Sequence, residues 1–523
     1  MSSNSPMTQY RLAHACIDTL QRCGITEWGV APGSRATPLV SALYQQGCSP
    51  LCHADERGLG FWALGTAKHT GRPAVVVVTS GTAVANLLPA VIEAHYSQTP
   101  MIILTADRPH DQVGVHANQA IDQSSLLHPF ARTIDLPVPA TEAMVRYWVD
   151  TMAFATAHPG PIQLNCRIHA PFDLALPMPT VLPVTQLHTH DATPPLMVTV
   201  GPHDVVIVGH MPPLTLPQRL ALGAHWATSG IPIIIDGPTV GEHPNMTPSF
   251  PGLDVSGASR LIWVGERVLS VDLQSQIQSF KGEVCHLVAS PHSHDPGHRS
   301  KTVWVTPYTA IRFSPVTSAF SPMIAAQYEA YVAHRSSLLA RYPDSEWALI
   351  DRVMTQRPAG WGGLIGNSLP IRWWSSLRDL SQEWVMNRGA SGIDGMVATA
   401  AGLLTHGPVM AILGDQTVRH DASSLPLWRG HDGLLVIVNN NGGRIFDTLP
   451  IRSHPACEPL FVAPHDQGFE WASALSGLPY WVARTQTELG QLLPTALSQG
   501  GILELAINPS SDTVTWSMLG ARP

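Results

Sequence analysis

The sequence predicts an α/β protein built of three doubly wound domains, and three observations carry that reading. Short apolar runs alternate with helix-length segments from about residue 10 to 180, and the rhythm returns more weakly later in the chain. At 523 residues the chain is too long for a single core, so two to four domains are the prior. Finally, residues 408–450 join two apolar runs, each ending abruptly in a polar cluster, through one helix-sized polar segment. That is the pattern of neighbouring parallel strands in a βαβ unit.

Taken in order, the first block (1–180) has strands at 25–31, 51–54, 74–79 and 101–105, with helices at 59–69 and 83–96. A Pro/Thr-rich stretch, 176–196, is predicted to be a linker. The second block (197–335) places strands at 205–208, 231–235, 261–264 and 284–288. It holds no glycine-rich fingerprint with a matching acidic residue, so a nicotinamide or flavin site is not supported and a structural spacer is expected. The third block (340–523) carries segment 361–377, a loop at 387–395, the paired runs of 408–450 and a terminal strand at 502–507.

Composition narrows the function classes. Apolar residues make up 44% and charged residues only 13%, which points to a well-buried, oligomeric globular protein. Net charge is −8 with no basic block, so nucleic acid is not an expected partner. The longest apolar runs are strand-sized, and no membrane span is predicted. The N-terminal residues show no cationic leader before an apolar core, and the seven cysteines form no CxxC pair. A cytoplasmic protein with reduced thiols is the expectation.

The polar clusters are where chemistry is expected. Run 409–413 stops at Gly414-Asp415, and run 434–438 stops at Asn439-Asn440-Asn441-Gly442-Gly443. In parallel sheets ligands bind beyond the carboxyl ends of the strands. There Asp415 offers a carboxylate, Asn440 an amide oxygen and Gly442 a carbonyl. Such a hard, incomplete oxygen shell suits Mg²⁺ completed by water and phosphate oxygens. In the first block, Ala31-Pro32-Gly33-Ser34-Arg35 opens a helix after a strand and forms a candidate anion site. Glu56 follows the next strand. Thr79-Ser80-Gly81-Thr82-Ala83 is a turn of small residues, and Thr105-Ala106-Asp107-Arg108-Pro109 leads into a polar loop ending at Gln119. Taken singly, each is also compatible with ordinary turn and cap chemistry.

Together they are more specific. The GD…NNNGG pattern resembles the diphosphate-binding motif of thiamine diphosphate (ThDP) enzymes. The segments APGSRATPL, HADERGLGFWALGTA, TSGTAVANLLPAVIEA, TADRP, ANQAIDQ, GNSLPIR, NRGASGIDG and NNNGGRIFDTLP resemble the 2-succinyl-5-enolpyruvyl-6-hydroxy-3-cyclohexene-1-carboxylate (SEPHCHC) synthases of menaquinone and phylloquinone biosynthesis. The likeness is dense in the first and third blocks and poor in the second. It implies the pyruvate decarboxylase-like architecture, ThDP with Mg²⁺ or Mn²⁺, decarboxylation of 2-oxoglutarate, and 1,4-addition of the resulting carbanion to isochorismate. It also implies a homodimer or homotetramer with active sites at the subunit interface.

Residue by residue, the resemblance makes Glu56, Ser34 and Arg35 the expected catalytic residues, with Glu56 paired to the cofactor's aminopyrimidine. Ser80, Gly81, Arg388, Ser391, Ile393, Gly414, Asp415, Asn440, Gly442 and Ile445 are expected at the cofactor, with Ile393 propping it in a bent form. Asp415, Asn440 and Gly442 would hold the metal. Ser34, Arg35, Arg108, Gln119, Ser368, Arg372 and Arg388 would face the carboxylate substrates, and Ile445, Phe446 and Leu449 would form an apolar wall. The chain departs from the family in three places. There is no Lys-Arg pair after run 261–264, where Glu266-Arg267 stands; Arg444 replaces a frequent Gln; and Gln416-Thr417-Val418-Arg419 replaces a more apolar run. Two other readings stand beside this one: a ThDP-dependent 2-oxo acid decarboxylase or carboligase with another acceptor, and a catalytically silent ThDP-fold binding subunit.

Overall fold

The apolar runs become the central strands of three parallel sheets in the computed structural model, which describes residues 6–137, 141–170, 194–211, 214–289, 295–300, 302–508 and 518. The first sheet has six strands: β1 (Trp28–Val30), β2 (Leu51–Cys52), β3 (Ala74–Val78), β4 (Met101–Asp107), β5 (Arg132–Leu136) and β6 (Pro161–Arg167). Their order is β2-β1-β3-β4-β6-β5, and every pair is parallel. β3, β4 and β6 are buried along their whole length because both faces of the parallel sheet are covered, which explains the unbroken apolar run of β3. The buried polar groups of β4 and β6 hydrogen-bond one another, as Thr105 Oγ1 does with Asn165 Oδ1 at 2.8 Å.

β7 (Leu196–Val198) pairs with β14 (Ile311–Phe313) outside the large sheets. The second sheet contains β8 (Asp204–Val208), β9 (Ile233–Ile235), β10 (Met246–Pro248), β11 (Arg260–Val264), β12 (Glu283–Val288) and β13 (Thr302–Val305), in the order β10-β9-β8-β11-β12-β13. The strand order reverses between β8 and β11, where such sheets usually offer a ligand crevice. Here the chain fills it. His210 N donates to Arg267 O at 2.8 Å and Glu266 N to His210 O at 2.7 Å. Arg267 itself is exposed. The third sheet has β15 (Gly362–Ile365), β16 (Val409–Gly414), β17 (Gly433–Asn439), β18 (Tyr480–Ala483) and β19 (Gly501–Ala506), in the order β15-β16-β17-β19-β18.

Compact units do not follow the chain simply. One comprises residues 1–190, 387–407 and 420–431, and the other 191–386, 408–419 and 432–523. In the first unit, helix Met396–Leu404 packs against helix Glu56–Thr70 through glycines. A Cβ on Gly65 would lie 2.1 Å from Thr399 O, and one on Gly402 2.1 Å from Trp62 O, so any larger residue would push the helices apart.

Three expectations change in detail. The helix expected over 83–96 is two, Thr82–Asn86 and Leu88–Tyr96, because Pro89 cannot continue the first and suits the opening turn of the second. The single crossover helix between β16 and β17 is instead a short helix, Asp415–His420, followed by a 3₁₀ segment, Ala422–Trp428, that contains Pro426. The linker at 176–196 lies outside the described residues except for its end, where Leu196 opens β7. Among the described residues, no helix is long and apolar enough to cross a membrane.

Candidate active site

In the second unit, β16 and β17 pair in register from Val409–Gly433 to Gly414–Val438, so their polar ends emerge side by side. Asp415 is buried. Its Oδ1 accepts from Gln416 N at 2.6 Å, and its Oδ2 accepts from Gly442 N at 2.7 Å and lies 3.1 Å from His465 Nε2. Gly442 sits at φ 121°, and a Cβ there would meet Val462 O at 2.3 Å, so only glycine allows this approach. Its carbonyl accepts from Arg444 N at 2.9 Å. Asn440 Nδ2 donates to the buried carboxylate Glu346 Oε2 at 2.9 Å, which leaves the amide oxygen as the group's other face. Among the described residues no cluster of three His, Cys, Asp or Glu side chains could hold a metal. A cation here would rest on Asp415, an amide oxygen, a backbone carbonyl and oxygens of the ligand, as Mg²⁺ commonly does.

The asparagine run is pinned rather than loose. Asn439 Nδ2 donates to Glu504 Oε1 at 2.7 Å, and Glu504 also accepts from Phe469 N and Tyr480 OH. Asn441 Oδ1 accepts from His465 N and Asp466 N, and its Nδ2 reaches Asp466 Oδ1 at 2.7 Å. Ile445 and Phe446 lie in the 3₁₀ turn Arg444–Thr448 and Leu449 follows it; all three are half-buried, and Phe446 meets Phe461 edge-on at 5.3 Å. Arg444, one of the departures, forms a two-pronged pair with Glu458 at 3.0 Å and reaches Asp447 at 3.3 Å. It braces this wall from the side. Ser368, at φ 71°, caps helix Leu369–Leu377, and Arg372 Nη1 donates to its carbonyl at 2.7 Å. Burial lowers the Arg372 pKa.

In the first unit, Asp55 caps helix Glu56–Thr70 by accepting from Arg57 N and Gly58 N, which places Glu56 in the opening turn, half-buried. Asn86 Nδ2 donates to Glu56 Oε2 at 3.1 Å. Arg57 reaches His420 O at 3.0 Å and Asp421 Oδ1 at 3.5 Å, tying segment 420–431 to the same helix end. Asp421 also accepts from Ala398 N and Ser424 Oγ. Burial nevertheless outweighs these bonds and pushes its pKa up to about 6.

Ser80, Gly81, Arg108 and Gln119 do come together at the ends of β3 and β4. Arg108 Nη1 donates to Ser80 Oγ at 2.6 Å and Gln119 O at 3.0 Å, and Gln119 Nε2 donates to Ser80 O at 2.8 Å. A Cβ on Gly81 would touch Gln119. Arg35 donates to Ile168 O. Its pKa is lowered first by burial and then by the nearby Arg108, so the two guanidiniums share one neighbourhood. Ser34, by contrast, is exposed.

Arg388, Ser391 and Ile393 share a loop held by a group that sequence reasoning missed. Glu93, buried on helix Leu88–Tyr96, accepts from Gly389 N at 2.9 Å and Ala390 N at 2.7 Å. Lys68 Nζ lies 3.2 Å from Glu93 and donates to Asn387 Oδ1 at 2.8 Å. Burial lowers the Lys68 pKa and Glu93 opposes it. The overlooked signal was a single Glu in the apolar run LPAVIEA and a single Lys in GLGFWALGTAKHT. Such charges are almost never buried unpaired.

Comparison with known proteins bears on the family and the fold. Residues 10–126 match the family model described as thiamine pyrophosphate enzyme, N-terminal TPP binding domain. The 2-succinyl-5-enolpyruvyl-6-hydroxy-3-cyclohexene-1-carboxylate synthase of Rubrobacter xylanophilus is 32% identical, with 96% of each chain covered. That of Halorhodospira halophila is also 32% identical, over 95% of this chain and 96% of the relative. In structure, an enzyme from Mycobacterium smegmatis assigned to the thiamin diphosphate-dependent class superposes with a TM-score of 0.71, covering 95% of this chain at 16% identity, a likeness of fold. With its ThDP-enzyme fold and relatives matched over nearly their whole length, the chain belongs to the SEPHCHC synthase family of ThDP-dependent enzymes.

Proposed function

We propose that this enzyme decarboxylates 2-oxoglutarate and adds the four-carbon remainder to isochorismate, giving the product for which the family is named, with Mg²⁺ or Mn²⁺ beside ThDP. The observation that carries the reading is the buried acceptor set at the ends of β16 and β17. Asp415 is oriented by two backbone amides and Asn440 has its nitrogen already engaged, so both turn oxygen to an incoming cation. When bound, ThDP supplies the electron sink for loss of CO₂. Glu56, steadied by Asn86, holds and returns a proton at its carboxylate. Arg35, Arg108, Arg372 and Arg388 supply the planar forks that carboxylate substrates call for. Ile445, Phe446 and Leu449 keep water from the reacting carbons. Assembly as a homodimer or homotetramer belongs to the same proposal.

The test is incubation of the full chain with ThDP, Mg²⁺, 2-oxoglutarate and isochorismate, with mass spectrometry of the product. The named adduct is expected. Release of CO₂ without that adduct would favour a carboligase with another acceptor, and no turnover at all a silent binding subunit.

A further inference from the structure

An amide can serve a hard cation only through its oxygen, since the nitrogen end presents N–H donors. The terminal torsion of Asn is broad and roughly two-fold, so its neighbours decide which end faces out. For Asn440 that neighbour is Glu346. Its carboxylate, an acceptor only, takes Asn440 Nδ2 at Oε2 (2.9 Å), while Oε1 accepts from the indole Trp373 Nε1 at 2.7 Å. Glu346, Trp373 and Asn440 are all buried. The carboxylate is held in turn at the first position of helix Glu346–Thr355, whose cap Ser345 accepts from Ala348 N, and the positive end of the helix favours it there.

We infer that Glu346 is a positioning residue that keeps the oxygen of Asn440, not its nitrogen, turned to the metal. The inference rests on the cation site proposed above. It makes an unusual forecast for the nearly isosteric Glu346→Gln. The indole N–H is an obligate donor, so the single amide oxygen of the new side chain must serve Trp373, and its NH₂ then points at Asn440. Asn440 must flip to accept, and its nitrogen turns outward.

The experiment titrates Mg²⁺ into full-length protein at fixed ThDP, read by calorimetry, for wild type, Asp415→Ala, Glu346→Gln and the double variant Glu346→Gln/Asn440→Asp. Glu346→Gln should weaken apparent Mg²⁺ affinity about 10- to 100-fold, the usual cost of removing a partner that orients a ligand. The double variant should recover most of it, because a carboxylate at position 440 accepts from the amide at 346 with one oxygen and offers the other outward. A structural defect at position 346 would not be repaired by a change at 440, and the double variant still informs if the single one folds poorly. Wild-type Mg²⁺ affinity in Glu346→Gln, or no recovery in the double variant, overturns the inference while leaving the cation site standing. An unaltered Asp415→Ala overturns the site itself and the inference with it.

Discussion

Two loops of this enzyme, the Gly-rich 387–395 in the first unit and the Asn- and Gly-rich 439–443 in the second, are both held chiefly by buried carboxylates. The contrast lies in what the carboxylates grip. Glu93 takes the first loop by its backbone, at Gly389 N and Ala390 N. In the second loop one backbone group, Gly442 N, is taken by Asp415, but the asparagine side chains carry the rest of the grip, Asn439 by Glu504, Asn440 by Glu346 and Asn441 by the exposed Asp466. A loop fixed by its backbone can turn its side chains to other work, and Arg388, Ser391 and Ile393 are the residues expected at cofactor and substrate. A loop fixed mainly by its side chains must offer chemistry through what remains, an amide oxygen and a glycine carbonyl.

The sharpest way to break this contrast is at the base of the second loop. Asp415→Ala removes the acceptor of Gly442 N as well as the expected metal ligand, and should abolish Mg²⁺-dependent ThDP binding. Unchanged cofactor affinity in a calorimetric titration would mean that the diphosphate lies elsewhere. Glu56 belongs to neither loop and serves as a reference. Glu56→Gln should still bind ThDP while turnover falls by about two to four orders of magnitude. Near-normal turnover at saturating ThDP would return Glu56 to the role of a helix-end charge.

Next in size are the arginines expected at substrate. Arg388→Ala, in the first loop, should lower kcat/KM for at least one substrate by about a hundredfold or more, and Arg372→Ala likewise, with ThDP binding little altered. If steady-state kinetics show both variants silent, the substrate pocket has been misplaced. Glu93→Gln probes the backbone grip. It keeps one acceptor but turns an NH₂ toward backbone donors and leaves Lys68 short of its counter-charge. About a tenfold loss in kcat/KM is expected, since a misplacement near 1 Å can cost about a hundredfold. Hydrogen exchange should quicken at Gly389 and Ala390 without cofactor present, and unchanged protection there would remove Glu93 from the argument.

The same contrast explains what could be read from the sequence. The asparagine loop was legible because each side chain there has a fixed task, and Asp415 and Asn440 stand where the strand ends require them. The central apolar strands were legible because unbroken apolar runs mean cover on both faces, whereas β6, buried but interrupted by Gln163, Asn165 and Arg167, gave no such run. The supports were not. Glu93, Lys68, Glu346 and Glu504 lie 24 to 319 residues from the groups they hold, and no local period records such pairing. Arg444 stood out only as a departure from the family, yet Glu458 claims it, fourteen residues on.

The smallest effect on catalysis, and the most particular in its pH dependence, concerns a third carboxylate with a backbone grip. Asp421 accepts from Ala398 N in the helix that the first loop runs into, and it also meets Ser424 and Arg57. These bonds favour its charged form, but the side chain is wholly buried and desolvation prevails, so its pKa stands at about 6. A carboxyl group raised in this way prefers the protonated state when folded. Its contribution is intact below about pH 4 and is lost as pH rises through about 6. The rise of roughly two units corresponds to about 3 kcal/mol of stability given up at neutral pH. Asp421→Asn removes the titration while keeping an oxygen for Ala398 N. Between pH 4.5 and 7.5 the urea-unfolding free energy of wild type should fall relative to that of the variant by an amount of this order. Turnover at a fixed pH should be nearly unchanged, since Asp421 is not among the residues expected at substrate or cofactor. Parallel pH profiles for the two proteins would show that Ala398 N, Ser424 and Arg57 together hold Asp421 ionised throughout and outweigh its burial.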